Sequence, residues 1–322
     1  MPFPKPPLSG ILMMLGTLWP MLRVAEAPGA RIDDWRKSAR RARKGAAIFT
    51  DPMTHLQVVV ALGRREVRPV VRAAPWMMFK YLTDYIKSDL ARKERAAILV
   101  HHYSFLGARS HERFFRQIID GRLELWSDTI GDNAYRILLT FPRATDAEGD
   151  LALIFRANQT DLYVLCFTLG PGNVARLPGA NVMYIARVQG KGGALDRIRA
   201  ATKDCLEISP PALLLAAAEG IATELSLDHM VGIGGQTQIS ADSAVAEGGL
   251  AAYDEFWTAV GGERLPGDMY RLNVPLAEKP ITAIKRCHRS RVRRKRAYKA
   301  LVASRVRAQF REFFAPQKME AS

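Results

Sequence analysis

Between Tyr135 and Phe141 the apolar residues change their period, and this change limits the folds open to the chain. Upstream, from Ile32 to Leu106, the pattern is helical: Trp76 to Leu90 carries Phe79, Leu82, Tyr85 and Ile86 at helical spacing, and Arg92 to Leu106 repeats it. Pro69 and Pro75 punctuate that region, and Arg36 to Lys44 is a basic segment within it. From Tyr135 the period is two: Tyr135, Ile137, Leu139 and Phe141 alternate along a predicted strand, and Leu151 to Phe155 and Leu162 to Leu169 read as two more. Asp146 to Asp150 supplies the turn between the first two, so these segments predict an antiparallel meander. With 322 residues, 48% hydrophobic, the chain can bury the core of one large domain or two small ones.

Asn181 to Val188 predicts a further strand, after which Gln189-Gly190-Lys191-Gly192-Gly193 turns the chain into a helix running to about Leu206. Pro211 to Leu225 is apolar almost all round, which predicts a buried helix that starts where proline is tolerated. Asp228 to Gly234 then reads as a short strand, so the helices form a crossover suited to a parallel or mixed pair. Leu250 to Val260 reads as helix and Met269 to Val274 as a closing strand. From Lys285 to Arg311 there is no acid, and Tyr298, Val302, Val306 and Phe310 recur every four residues as the stripe of a basic amphipathic helix. The expected class is α/β in the α+β sense: a mixed, mainly antiparallel sheet flanked by helices. The expected division is a helical region over 1–106, an α/β core over 107–276 and the basic C-terminal helix over 277–322.

The chain carries 47 Lys and Arg against 32 Asp and Glu, a net charge of +15, which favours anionic partners. Cys166, Cys205 and Cys287 are far apart and form no C-x-x-C pair, which speaks against a zinc site or a disulfide scaffold. His101, His102 and His111 do not make a metal cluster either, because adjacent residues cannot face one side of a helix and no carboxylate joins them. Near the N-terminus, Gly10 to Leu22 is an apolar run followed by Ala25-Glu26-Ala27, which resembles a cleavage site, but Pro20 and Arg23 interrupt the pattern. An interfacial or docking helix fits better than a signal peptide. The expected location is the cytoplasm or the inner-membrane periphery, with export to the periplasm the lesser reading.

The chemistry centres on Arg187-Val188-Gln189-Gly190-Lys191-Gly192, with Gly193 following. Glycines there allow close approach to a pyrophosphate, a helix N-terminus offers it unpaired N–H groups, and Lys191 adds a charged contact. The bland alternative is an ordinary glycine-rich turn. The pattern fits R/Q-x-x-G-x-G/A and resembles the donor-binding turn of GNAT-type acyltransferases. Tyr253-Asp254-Glu255-Phe256-Trp257, Gly261-Gly262 and the strand from Met269 are similar to the GNAT helix, turn and closing strand that follow it. The resemblance implies a GNAT-like core, an acyl-CoA or related donor held by Arg187, Gln189, Gly190, Lys191, Gly192 and Gly193, and Tyr253 as general acid to the thiolate leaving group. An aromatic helix end serving only as core is the alternative for Tyr253.

A second resemblance covers roughly His101 to Arg305. His102-Tyr103, Glu148-Gly149-Asp150-Leu151, Gln189-Gly190, Ile198-Arg199, Thr202-Lys203, the Leu213 to Leu215 triplet, Tyr253-Asp254 and Phe256-Trp257 resemble the bacterial VirK/YbjX family in identity and order. That resemblance implies an association with envelope integrity, lipid A modification and tolerance of cationic antimicrobial peptides, with no reaction attached. The chain departs from the family pattern twice, with Leu206 in place of the His of H-G-L-R-P and Gln238 in place of the His of H-I-Y. Neither Leu206 nor Gln238 exchanges a proton near neutral pH.

Two functions are therefore expected to compete. The first is transfer of an acyl or aminoacyl group from a CoA-type donor, without a metal. The second is a non-catalytic envelope or chaperone-like factor whose basic C-terminal helix meets anionic lipid or a client protein. The basic helix lacks interleaved aromatics for base stacking, which speaks against nucleic acid.

Overall fold

The structure is a computed structural model that describes residues 48–143, 145–240 and 249–314. The apolar run Gly10 to Leu22, the Ala25-Glu26-Ala27 segment and the basic stretch Arg36 to Lys44 lie outside the described residues.

Among the described residues, the helices α1 (Pro52–Leu62), α2 (Arg68–Ala73), α3 (Arg92–Gly107) and α4 (Glu112–Asp120) precede the sheet. Local signals start them. Asp51 caps α1, its carboxylate accepting from Thr54 N and Thr54 Oγ1, with Pro52 at the first turn. At α3, Glu94 reaches back to accept from Ala91 N at 2.8 Å. The helix expected from Trp76 to Leu90 is instead a 3₁₀ helix over Pro75–Leu82 followed by extended chain. Ile86 sits at φ 66°, its N–H bonds Ala147 O, and Ser88 N–H bonds Thr237 O. Buried backbone groups must find partners, and here the neighbouring loops supply them instead of a helix.

Among the described residues eight strands form one sheet in the order β1-β2-β3-β4-β5-β6-β8-β7. They are β1 (Leu123–Ile130), β2 (Asn133–Thr140), β3 (Leu151–Ala157), β4 (Thr160–Pro171), β5 (Asn181–Gly190), β6 (His229–Ile233), β7 (Glu263–Leu265) and β8 (Met269–Asn273). The first five make the expected meander, and β1 extends it by a strand the alternation did not announce. A register shift between Glu124 and Trp126 puts Leu125 and Trp126 in the core side by side, which breaks the period of two.

After β5 the chain crosses through α5 (Leu195–Asp204) and α6 (Pro210–Glu224) and returns as β6, parallel to β5; every other pairing is antiparallel. The helix α6 is buried nearly throughout, as its all-apolar surface requires. It covers β3 to β6, while α3 packs on β4. The next helix, α7 (Gly249–Ala259), docks through Trp257, which is fully buried against Gly232 and donates from Nε1 to Ile233 O at 2.8 Å. The strand β8 then enters between β6 and β7.

The C-terminal helix α8 (Arg289–Arg311) starts four residues later than its composition suggested, after two 3₁₀ turns. Its stripe is the docked face: Val302, Val306 and Phe310 are fully buried, and Tyr298 donates to Asp128 Oδ2 at 2.9 Å. Residues from the helices α1 to α4, the sheet and α8 share one hydrophobic cluster.

Candidate functional site: the crevice beside β5

A bulge in β5 shapes the site. Opposite β4, Cys166 faces Arg187 and Phe167 faces Ile185, so Ala186 is the extra residue. A bulge bends its strand and re-aims the side chains beyond it. The strand β6 pairs with β5 only from Val182 to Ile185, and past that point no strand of the described residues takes the outer edge of β5. The carboxyl ends of two parallel strands thus part around a crevice, the position at which open sheets bind ligands.

Tyr253 of α7 reaches into that opening. It is 8% exposed, and its hydroxyl oxygen accepts the Val188 N–H at 3.4 Å. Burial pushes its pKa up to about 12, against the opposing effect of that N–H, so the phenol keeps its proton at neutral pH. Opposite the phenol lies a polar cluster. The Glu148 carboxylate is buried, pairs through Oε2 with Arg187 Nη1, and accepts at Oε1 from Ser240 Oγ at 2.7 Å. Gly149 allows the Glu148 turn to press on β4, because a Cβ there would lie 2.8 Å from Phe167 N. Three buried atoms around this cluster have no hydrogen-bond partner in the protein: Arg187 Nε, Gln189 Oε1 and Gln238 Oε1. Unpartnered buried polar atoms of this kind mark a place built for a ligand or water.

Cys166 lies beside Arg187 on the same face, yet burial pushes its thiol up to about 12, and it contacts Thr145 Oγ1 at 3.2 Å. A thiol held protonated is a poor nucleophile, so Cys166 is not placed to form a covalent intermediate.

The turn in front of α5 divides the motif residues into different jobs. Gln189 and Gly190 still belong to β5, and the turn proper is Lys191 to Ala194, with Lys191 N–H bonded to Leu162 O. A Cβ on Gly190 would lie 2.9 Å from Tyr163 Cε2 and 3.3 Å from Ile198 Cδ1, so this glycine serves close packing of α5 on the sheet. Gly192 and Gly193 face open space, and Gly193 has φ +73°. The helix α5 begins at Leu195 without a side-chain cap, which leaves its first N–H groups directed at that open turn. Arg187 is absent from the turn, being committed to Glu148.

Of the two departures from the family pattern, Gln238 is at the site. It is 2% exposed and donates through Nε2 to Ile233 O at 3.3 Å, two residues before Ser240. Leu206 lies past the far end of α5, away from the turn. Glu148 stands in a motif shared with the VirK/YbjX family, but its meeting with Ser240, 92 residues away, has no signal in the local pattern and arises only in the fold. Among the described residues no group of three or more His, Cys, Asp or Glu is placed to hold a metal ion. His102 instead is buried, with Nδ1 accepting the Leu169 N–H at 3.1 Å.

Comparison with known sequences bears on the same region. The family described as Protein of unknown function (DUF535) matches residues 33–307. This chain belongs to that family. The uncharacterized protein YbjX of Escherichia coli (strain K12) is 30% identical over 220 residues, which are 66% of this chain and 65% of that protein. The similarity to YbjX agrees with the VirK/YbjX resemblance of the motifs, and the alignment spans a little under two thirds of that relative. No solved structure matches the chain. Among the described residues no helix is long and apolar enough to cross a membrane.

Proposed function

We propose that this protein is a GNAT-type acyltransferase, with an acyl-CoA or related acyl donor seated in the crevice beside β5. The observation that carries the reading is the outer edge of β5 beyond Ile185, free of any described strand and ending at an uncapped helix. A donor with an amide-bearing arm and a diphosphate matches both features at once. Its amides add to a strand edge as a peptide would, and its phosphates meet the N-terminal amides of α5. Lys191 at the turn, with Arg197 in the first turn of α5, adds positive charge there, while the exposed Asp196 of the same turn partly offsets it.

The chemistry follows from what the crevice presents. Tyr253, kept protonated beside Val188, donates its proton to the thiolate as the carbon–sulfur bond breaks and the acyl carbon bonds to the acceptor's nitrogen or oxygen; the acceptor's proton passes to solvent, from which Tyr253 is reprotonated. Arg187, Glu148 and Ser240, with the partnerless Gln189 and Gln238 oxygens, form the polar wall on which the acceptor is held.

Calorimetric titration with acetyl-CoA and longer acyl-CoAs tests the reading. Saturable binding is expected, weakened about ten-fold or more by Gly192→Glu, because the new carboxylate stands in open space where the phosphates bind. Absence of binding by every donor, or binding indifferent to Gly192→Glu in a folded variant, overturns it.

A further inference from the structure

A large groove among the described residues lies away from the crevice, at the other end of α7. The helices α6 and α8 touch where Gly220 meets Ala303; a Cβ on Gly220 would lie 2.3 Å from Ala303 O. Beside that crossing a groove of about 1060 Å³ opens between α6, α8, the end of α7 and residues 275–284. Its floor is made of small apolar residues such as Ala212, Ala216, Ala300 and Ala303, and its wall includes Val260 and Ile284. Short side chains cannot cover the trough they line, so its apolar surface stays open to an aliphatic occupant.

The mouth of the groove is cationic. Lys279, Arg296, Lys299 and Arg307 line it with the carboxylates of Glu219 and Glu278, and Arg307 is paired with Glu224 at 2.9 Å. Glu219 is already engaged, accepting the Leu276 N–H at 2.7 Å, and burial raises its pKa. Glu278 is shared between Arg296 at 3.0 Å and Lys299 at 4.0 Å. Next to this rim Arg293 is exposed, about one turn before Arg296 on the groove side of α8, and among the described residues it has no carboxylate partner. An apolar trough opening onto surplus fixed cations is complementary to a molecule with an aliphatic chain and an anionic head. A nucleic acid would leave the trough unused.

We infer that the groove between α6 and α8 takes an acyl chain of an anionic phospholipid at a bilayer surface, while the arginines of the first turns of α8 meet the headgroups. The site is independent of the acyl-donor reading, since it shares no residue with the crevice. Its two halves act together: the cations bring the face to the membrane, and the trough adds affinity that salt does not screen.

Co-sedimentation of the full chain with vesicles tests it. Binding to phosphatidylglycerol–phosphatidylcholine vesicles is expected, with little to phosphatidylcholine alone, and it weakens as salt rises from about 0.05 to about 0.5 M. Ala300→Trp fills the trough from an exposed position without changing charge, and lowers binding about ten-fold at both salts. Lys279→Glu with Arg293→Glu lowers it about thirty-fold or more at low salt only. Ala297→Trp, also exposed and in the groove, serves if the first tryptophan variant does not fold. Absence of binding, equal binding to neutral vesicles, or binding by a folded tryptophan variant equal to that of the parent chain overturns the inference. Displacement from the vesicles by inorganic phosphate also overturns it, because headgroup charge alone then accounts for the contact.

Discussion

Lys80 Nζ donates to Asp150 Oδ1 at 2.8 Å, where 3% of the Lys80 side chain and none of the Asp150 side chain is exposed. Tyr85, Tyr103 at 3.1 Å and Thr168 at 2.8 Å also donate to the Asp150 carboxylate, so a buried charge is fully surrounded. Burial raises the Asp150 pKa, and the Lys80 charge, with His102 and the hydrogen bonds, outweighs this and holds the group below its ordinary value. Lys80 also donates to Gly149 O at 3.0 Å, one residue from Glu148, and so fixes the turn that carries the polar wall of the crevice.

Removing one partner strands the other charge. Lys80→Met is expected to cost about 3–5 kcal/mol, read from urea unfolding, whereas Lys80→Met combined with Asp150→Asn recovers part of the loss. Equal loss in the single and double variants would show that packing, not charge pairing, is what Lys80 contributes.

The pH dependence of stability has a separate source in His102. Burial first, then the Lys80 charge, holds its pKa down to about 4 despite Asp150, and Nδ1 is committed to the Leu169 N–H. The folded state therefore binds fewer protons than the unfolded state between pH 4 and the ordinary value of 6.5. Stability is full above 6.5 and is lost as pH falls towards 4, by an amount on the order of 3 kcal/mol. His102→Asn keeps an acceptor without the titration, and its unfolding midpoint is expected to fall less across this window than that of the parent chain, the remaining fall coming from His55 and His101, whose pKa values burial also lowers. Asp150 acts lower, its contribution being lost as pH drops below its ordinary value of 3.8.

The two motif glycines separate packing from binding. Gly190→Ala is expected to destabilise by about 1–3 kcal/mol, because Tyr163 and Ile198 already occupy the space. Gly192→Ala meets nothing within 4 Å, and its melting temperature is expected to stay close to that of the parent chain. The reverse ranking in thermal unfolding would mean that the turn, rather than the strand end, is the strained part.

Much of this architecture is legible in the sequence where burial is one-sided and periodic. Tyr135 to Phe141 alternate because one face of β2 meets the core, and α6 is apolar all round because it is buried all round. The strand β1 is illegible because its bulge puts Leu125 and Trp126 on the core side together. Residues 85–88 follow a stretch of helical apolar spacing, although long-range bonds to Ala147 O and Thr237 O hold them as an irregular turn with Ile86 at φ 66°. At the site, the turn, Tyr253 and the Glu148 motif are visible in the sequence, whereas the pairing of Glu148 with Arg187, 39 residues away, and with Ser240, 92 residues away, is made only by the fold.

Tyr253 has a role distinct from that of the residues around it. Tyr253→Phe removes a hydrogen bond of 3.4 Å to Val188 and is expected to cost no more than about 1 kcal/mol of stability. Donor affinity measured by calorimetry is expected to stay within about two-fold, while the transfer rate falls about 100-fold or more, as loss of a general acid predicts. A variant that loses donor binding and transfer together would make Tyr253 a binding residue.

Hydrogen exchange on the full chain, with and without a saturating acyl-CoA, tests the central claim most directly. The crevice account predicts slower exchange over Ala186 to Gly190, where the edge of β5 has no described strand, and over Gly192 to Arg197, where α5 begins. Exchange over residues 275–300, at the groove, is expected to stay unchanged. Slowing at the groove with none along β5 would contradict a donor site in the crevice.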